Sequence, residues 1–185
     1  MNYLRQPALL GPTRRTRMVE SLQATDAQRA RSDTLGHTGN GAVEQLMPGS
    51  GYTSAELTTL REVMASSCYA ATADAFGLPD PNQLTPQVFP VWMRGSVDQP
   101  PSQRPHIDNR DGTTPLITAV YYAQVSDTDG GEILIGTGPD QVVVQPVEDD
   151  LVAFAGNTVH AVGDLRAGHR LSVVCNFYLA ISRHA

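Results

Sequence analysis

The part of the chain after Pro79 is a series of short β-like runs, and this pattern limits the fold more than any other feature. The runs are rich in Val, Ile, Tyr and Phe, and Gly, Pro and Asp separate them. They predict strands near residues 86–94, 116–125, 131–136, 141–145, 150–155, 158–163 and 169–180. Many short strands in succession are typical of an antiparallel sandwich or barrel, whose two sheets leave an open mouth between them.

A helix is expected just before the β region. Thr53 and Glu56 have the spacing of a capping box, and Gly77 and Pro79 end the helical pattern. Between these limits apolar residues recur on one helical stripe: Leu57, Leu60, Val63, Met64, Cys68, Ala71 and Ala75. The pattern predicts a helix over residues 54–76 that packs against a sheet through this stripe.

Residues 1–52 are polar and rich in glycine, so we expect an N-terminal segment that is partly flexible. Within it the sequence predicts a helix over 14–31 and a loop over 37–51. A length of 185 residues fits one domain. The expected organisation is therefore an N-terminal segment followed by a β-rich core over 53–185, with the helix as its support.

The composition is that of an ordinary globular protein, with 41% hydrophobic residues and a net charge of −6. Only Arg14, Arg15 and Arg17 form a basic cluster, so no nucleic-acid partner is expected. No apolar run approaches the roughly 20 residues of a membrane span, and we expect a cytoplasmic protein without a membrane partner. Cys68 and Cys175 have no metal or redox spacing, which predicts two small buried side chains.

Three residues have the chemistry of a metal site. His106 and Asp108 lie two positions apart, so an extended backbone points both side chains to the same side. His160 ends a later apolar run and could return to the same mouth. Two imidazoles and one carboxylate leave three coordination positions open, as in non-haem iron oxygenases. Either element alone is weak, because a His-x-Asp pair arises by chance and a lone His beside a strand is often structural.

The last predicted strand combines a packing face with a polar face. Arg170, Ser172, Val174 and Asn176 alternate with the apolar residues Leu171, Val173, Cys175 and Phe177. A guanidinium inside a barrel is costly unless it is paired, and a dicarboxylic acid would supply a bidentate partner. The alternative partner is one of the protein's own carboxylates. Because the chain contains no Lys, any cationic anchor for an anionic ligand must be Arg.

Taken together, these blocks resemble the iron(II) and 2-oxoglutarate-dependent dioxygenases, and within them the prolyl-hydroxylase-like branch. The resemblance covers roughly residues 85–180. It runs through PHIDNRDG, LITAVYYAQ, GGE, DDLVAFAG, HAVGDL and HRLSVVCNFY in that order. It implies a mainly β fold with N-terminal helices, in which the strands form a double-stranded β-helix, the jelly-roll or cupin-like barrel.

The resemblance also implies roles for individual residues. His106, Asp108 and His160 would bind Fe(II). Arg170 would bind the distal carboxylate of 2-oxoglutarate, and three further residues would assist it: Ser172, Tyr122 and Thr118. Because Asp108 is retained, the pattern argues against a halogenase.

The implied activity is hydroxylation, or another oxidation, of an unactivated C–H bond with O2, releasing succinate and CO2. We expect a small-molecule substrate such as an amino acid or a natural-product intermediate. The residues expected to contact it are Trp92, Arg94, Arg104, Arg110 and Asn176. Segments 36–51 and 95–105 are expected to close over the site. The pattern does not indicate an oligomeric state.

Three other functions remain open. The branch includes enzymes that act on prolyl residues, so a protein or peptide could be the substrate. A cupin-like metal-binding protein would keep the three ligands without using 2-oxoglutarate, and it would leave Arg170 unexplained. A silent binding module is the third reading, although such modules usually lack a ligand and none is missing here.

Overall fold

Two antiparallel sheets face each other, and two helices cover the outer side of the larger sheet. The computed structural model describes residues 3–23, 55–110 and 112–180. The strands are β1 Tyr3–Gln6, β2 Leu84–Arg94, β3 Gln103–His106, β4 Ile117–Gly130, β5 Ile133–Ile135, β6 Val142–Val144, β7 Leu151–Ala155, β8 His160–Val162 and β9 Leu165–Leu179. The α-helices are α1 Pro12–Gln23 and α2 Ala55–Phe76, and short 3-10 turns span Pro81–Gln83 and Gly138–Asp140.

The larger sheet has the order β1-β7-β4-β9-β2, and the smaller sheet has the order β3-β8-β5-β6. Every strand pairing in the described part of the chain is antiparallel. This arrangement confirms the predicted mainly β fold of the jelly-roll type. Each of the predicted strands is present, with ends that differ by a few residues. Two strands were not predicted: β1 and β3 are only four residues long and mostly polar, so neither shows a period-two apolar pattern.

The main core lies between the larger sheet and the helices. From α1 and α2 it receives the fully buried side chains of Met18, Leu22, Met64 and Cys68. They pack on Leu171, Val173, Cys175 and Phe177, the face of β9 that the alternation predicted as apolar. Both cysteines are buried and neither forms a disulfide, as predicted. Burial of this face fixes the opposite face of β9 toward the space between the sheets.

A second core closes one end of the space between the two sheets. It consists of Val120, Tyr122, Ile133, Ile135, Val144, Val152 and Phe154, all fully or nearly fully buried. Its residues from β4 and β7 alternate along those strands with residues of the main core, because successive side chains of a strand point to opposite faces. Val120, Tyr122 and Ile133 of this core also line the pocket described below.

Helix α2 confirms the prediction for residues 54–76. The predicted capping residue Thr53 lies outside the described residues, as does the loop over 37–51. Of the helix predicted over 14–31, the structure describes α1, which ends at Gln23. The division between an N-terminal segment and a core that starts at residue 53 stays a prediction. Neither helix has an apolar stretch of the length that a bilayer crossing requires in the described part of the chain.

The N-terminal residues are attached to the sheet through Asp149. Its carboxylate accepts hydrogen bonds from the backbone N–H groups of Leu10 and Gly11 at 3.1 and 2.9 Å. It also accepts one from the Tyr121 hydroxyl at 2.8 Å, and Tyr121 is fully buried. Asp149 adopts a positive φ of 68°, a conformation that Asp tolerates better than most residues.

We expect Asp149→Gly to lower the free energy of unfolding by about 1–3 kcal/mol, because three donors lose their acceptor. Glycine accepts the positive φ without strain, so the loss reports the carboxylate rather than the backbone. Denaturant unfolding measures the effect. Tyr121→Phe should give a smaller loss, and Asp129→Ala, which breaks an exposed pair with Arg166, should leave stability unchanged. Equal stability of the glycine variant and the wild type would contradict this account.

Candidate active site

The three candidate ligands converge at the mouth between the two sheets. His106 ends β3 and His160 begins β8, and these two residues are direct register partners. Their rings lie 4.2 Å apart, measured between centroids. Asp108 follows β3 by two residues, and one ligand atom from each of the three residues lies within 4.8 Å of the others. The structure therefore brings together the predicted set in a geometry that one metal ion can bridge.

Backbone hydrogen bonds fix the orientation of both imidazoles. The Nδ1 atom of His106 lies 2.8 Å from the carbonyl oxygen of Arg104, and that of His160 lies 3.1 Å from the carbonyl oxygen of Thr158. A carbonyl oxygen only accepts, so each Nδ1 carries the proton and each Nε2 keeps a lone pair. The two Nε2 atoms face Asp108, at 3.5 and 3.8 Å from its carboxylate oxygens. Metal-binding histidines are commonly held in this way.

The electrostatics of the cluster favour an ionised carboxylate between the rings. The hydrogen bond that the His106 ring donates to the Asp108 carboxylate raises the pKa of His106 above its usual value, against the opposing effect of burial. Burial dominates at His160 and lowers its pKa. For Asp108, burial alone would raise the pKa, but the hydrogen bond from His106, the charge of His160 and the hydrogen bond from Thr118 together lower it. A negative oxygen ligand beside two lone pairs suits a divalent cation.

Arg170 projects from β9 into the same space and is only 2% exposed. Its Nη1 donates to the carbonyl oxygen of Gly131, its Nη2 contacts the Met93 sulfur at 3.0 Å, and its Cζ lies 5.7 Å from the Tyr122 ring centroid. No carboxylate of the described residues forms a salt bridge with this guanidinium. The alternative of an internal ion pair therefore finds no partner in the described part of the chain.

Several polar atoms near Arg170 are buried without a hydrogen-bond partner among the described residues. They are the Tyr122 hydroxyl, the Ser172 Oγ and the Arg170 Nε. Leaving a buried donor unpaired costs roughly 1–3 kcal/mol, and more for a charged group. An anionic ligand with several acceptor oxygens would pair with all three. The residues present therefore fit a small dicarboxylic acid bound beside the candidate metal site.

These groups line one pocket that is open to solvent at its mouth. The lining residues are Phe89, Val91, Met93, Ser102, Gln103, His106, Asp108, Thr118, Val120, Tyr122, Ile133, His160, Val162, Arg170, Ser172 and Val174. The three candidate metal ligands and the buried guanidinium thus share a single cavity, much of whose wall is apolar.

Comparison with known proteins gives matches in structure but not in sequence. No family model and no curated protein matches the chain. A prolyl-4-hydroxylase from Pseudomonas putida superposes with a TM-score of 0.65 at 22% identity, over 96% of this chain and 92% of that one. A prolyl hydroxylase from Trichoplax adhaerens, solved with a hypoxia inducible factor peptide, gives 0.64 at 16% identity over 95% and 83%. A non-haem, α-ketoglutarate-dependent epimerase of nogalamycin biosynthesis gives 0.64 at 15% over 96% and 78%.

The chain has the fold of the prolyl-hydroxylase-like 2-oxoglutarate oxygenases. The fold implied by the sequence resemblance is therefore confirmed. At these identities the likeness concerns the fold, and the chemistry must be argued from the residues that line the pocket.

Most of the site residues predicted from the sequence line this pocket. Tyr122 and Ser172 lie beside Arg170 with unpaired hydroxyl groups. Thr118 also lines the pocket, but its hydroxyl donates to Asp108 at 2.8 Å. Asn176, expected to contact the substrate, donates to the same carboxylate oxygen at 3.2 Å. Both therefore donate to the carboxylate of the candidate ligand Asp108.

Four predicted substrate residues are not brought to the pocket. Trp92 lies on the other face of β2 and is buried in the core with the helices, because Phe89, Val91 and Met93 occupy the inward positions of that strand. Arg94 is exposed at the end of β2, and Arg104 is exposed within β3. Arg110 forms a backbone bridge with Thr113 and does not line the cavity.

The inward residues of β2 were missed, although the alternation of that strand contains the signal. A correct choice of face would have placed Phe89, Val91 and Met93 in the pocket. Alternation could not have predicted Ser102 and Gln103 as lining residues, since they lie where an irregular loop joins β3. That loop, expected to be a lid, is held at both ends by backbone bonds, from Gly95 N to Gly168 O at 2.8 Å and from Leu165 N to Pro101 O at 3.0 Å.

We expect the two histidines of the metal-free protein to titrate on opposite sides of the usual value of 6.5. His106 should take up its proton at higher pH than His160, because Asp108 accepts from its ring while burial disfavours the charged form of His160. NMR of the ring protons as a function of pH measures both midpoints. In Asp108→Asn the His106 midpoint should fall. Midpoints in the reverse order would contradict the geometry of the cluster.

Proposed function

We propose that this protein is an iron(II)- and 2-oxoglutarate-dependent oxygenase that oxidises an unactivated C–H bond. His106, Asp108 and His160 would hold Fe(II), and Arg170 would hold the distal carboxylate of 2-oxoglutarate. When bound, these groups and O2 supply the oxidising chemistry, with release of succinate and CO2. The observation that supports this function is the presence of the ligand triad and a buried guanidinium without a carboxylate partner, among the described residues, in one cavity.

The protein's own residues have separate tasks in this scheme. The carbonyl oxygens of Arg104 and Thr158 hold the two imidazoles with Nε2 toward the metal position. The Gly131 carbonyl oxygen and the Met93 sulfur contact the two terminal nitrogens of the Arg170 guanidinium, and the ring of Tyr122 lies beside it. The hydroxyl groups of Tyr122 and Ser172 are then available to the co-substrate. The apolar walls exclude water from the reacting centre, which limits side reactions.

The walls of the cavity also bear on the substrate. Much of the wall is apolar and includes Phe89, Val91, Val162 and Val174. Among the described lining residues, Arg170 is the one Arg or Lys. With Arg170 assigned to 2-oxoglutarate, an amino-acid carboxylate would lack a cationic anchor in the described part of the pocket. We therefore favour a small molecule that presents an uncharged, largely apolar group, such as a natural-product intermediate.

A peptide substrate is the second candidate, because two of the similar structures are prolyl hydroxylases. Succinate release separates the two candidates. A panel of neutral small molecules should stimulate release above the uncoupled background, whereas proline-containing peptides should not. Stimulation by peptides alone would reverse this preference.

Anaerobic titration of the Fe(II)-loaded protein with 2-oxoglutarate should produce a weak visible charge-transfer band, since the keto acid would chelate the metal. The band should be lost in His106→Ala, Asp108→Ala and His160→Ala, which each remove one ligand. Circular dichroism checks that the variants are folded. A folded, iron-loaded wild type that gives no band would contradict the proposal and favour a cupin-like metal-binding protein.

Arg170→Met should weaken 2-oxoglutarate binding by about 2–5 kcal/mol, because the distal carboxylate would lose its buried partner. Calorimetry of the metal-loaded protein measures the dissociation constant. Arg170→Lys should bind with intermediate affinity, since an ammonium lacks the bidentate geometry. The matched control is Arg166→Met on the same strand, where the arginine is exposed and paired with Asp129. Unchanged affinity in the Arg170 variants would remove this residue from the co-substrate site.

A further inference from the structure

Asp108 differs from the two histidines in its backbone support. His106 ends β3 and His160 begins β8, and the two residues are paired. Asp108 lies beyond β3 on an irregular segment, and its side chain is 17% exposed. Its carboxylate therefore depends on side-chain contacts for its orientation.

Those contacts come from one cross-strand pair in the centre of the larger sheet. Thr118 of β4 and Asn176 of β9 are direct register partners and point to the same face. The Thr118 Oγ1 donates to Asp108 Oδ2 at 2.8 Å, and the Asn176 Nδ2 donates to the same oxygen at 3.2 Å. The two donors are only 1% and 2% exposed. A rigid pair of neighbouring residues thus holds one oxygen of a carboxylate that lies on a loop.

The two hydrogen bonds make the carboxylate oxygens unequal. Each oxygen has about two lone-pair sites, and Oδ2 accepts two hydrogen bonds and lies 3.8 Å from His160 Nε2. Oδ1 receives no hydrogen bond from Thr118 or Asn176 and lies 3.5 Å from His106 Nε2. It is therefore the oxygen with lone pairs available to a cation placed between the imidazoles.

The Asn176 amide has a cost that a purely structural role does not explain. A carboxylate only accepts hydrogen bonds, so the NH2 end of the amide must face Asp108 and the Oδ1 end must point away. That Asn176 Oδ1 is buried and has no hydrogen-bond partner among the described residues. An apolar residue at this position would avoid the unpaired acceptor, but it could not donate to Asp108.

From this geometry we infer that Thr118 and Asn176 are positioning residues for the metal site, which hold Oδ2 of Asp108 and thereby leave Oδ1 directed toward the cation. The inference rests on the proposed function, because it assumes that the triad binds a metal. It gives Thr118 and Asn176 a role other than contact with co-substrate or substrate.

Co(II) binding to the metal-free full-length protein tests the pair without turnover. Titration gives the affinity, and the visible absorption spectrum of bound Co(II) reports its coordination. Thr118→Val and Asn176→Leu should each weaken Co(II) binding by about 10- to 100-fold, the range for residues that orient metal ligands. Each should also change the spectrum. Thr118→Ser keeps the hydroxyl and should restore both the affinity and the spectrum.

Thr72→Val is the matched control. Thr72 is fully buried in α2, where its hydroxyl donates to the Cys68 carbonyl oxygen at 2.6 Å, away from the pocket. This variant should lower the melting temperature without changing Co(II) affinity or spectrum. If Thr118→Val does not fold, Thr118→Ala removes the same hydroxyl without placing a methyl group against the carboxylate.

The outcomes separate this inference from the proposed function. A wild type that binds no Co(II) would overturn both. A wild type that binds Co(II), with unchanged affinity and spectrum in the folded Thr118 and Asn176 variants, would overturn the positioning role and leave the oxygenase proposal standing. Weaker binding with an altered spectrum, restored by Thr118→Ser, is the result expected.

Discussion

The pairing of β4 with β9 is the constraint on which the rest of the structure depends. Its register places Thr118 opposite Asn176 and Tyr122 opposite Ser172 on the face that looks between the sheets. The alternate residues Ala119, Tyr121, Val173 and Cys175 face the helices and belong to the main core. Because side chains alternate along a strand, a slip of one residue would exchange the two sets. Burial of the apolar face against α1 and α2 thus also fixes the polar face that holds the site.

A bulge in the same pairing sets the position of the guanidinium. The register shifts between Tyr122 and Gln124, so that Val125 rather than Gln124 lies opposite Arg170. Bulges of this kind redirect side chains next to active sites. Arg170 and Tyr122 then become neighbours, with the guanidinium carbon 5.7 Å from the ring centroid. Folding therefore buries a cation that forms no salt bridge with a carboxylate of the described residues.

The sheet was predicted from local alternation, whereas the three candidate metal ligands were predicted from the His-x-Asp spacing together with the family resemblance. Alternation located seven strands, and the two positions separating His106 from Asp108 placed both side chains on one side. The environment of Asp108 was beyond such reasoning. That Thr118 and Asn176 donate to it depends on the path of an irregular segment across the sheet, which no periodicity encodes. The prediction that Trp92 contacts the substrate differs from the structure for another reason. The alternation of β2 was visible in the sequence, but it did not indicate which face of the strand points inward.

The N-terminal residues support the site from outside the pocket. β1 extends the larger sheet beyond β7, and Arg5 forms an ion pair with the buried Asp150 at 2.7 Å. The backbone of Asp149 and Asp150 in turn hydrogen-bonds to Tyr122, through Tyr122 N to Asp150 O at 2.9 Å and Asp149 N to Tyr122 O at 2.8 Å. A chain of contacts therefore connects the first strand to the residue beside Arg170. Since rigid sheet elements hold a binding group more accurately than loops do, this attachment gives the N-terminal strand a role in the geometry of the pocket as well as in stability.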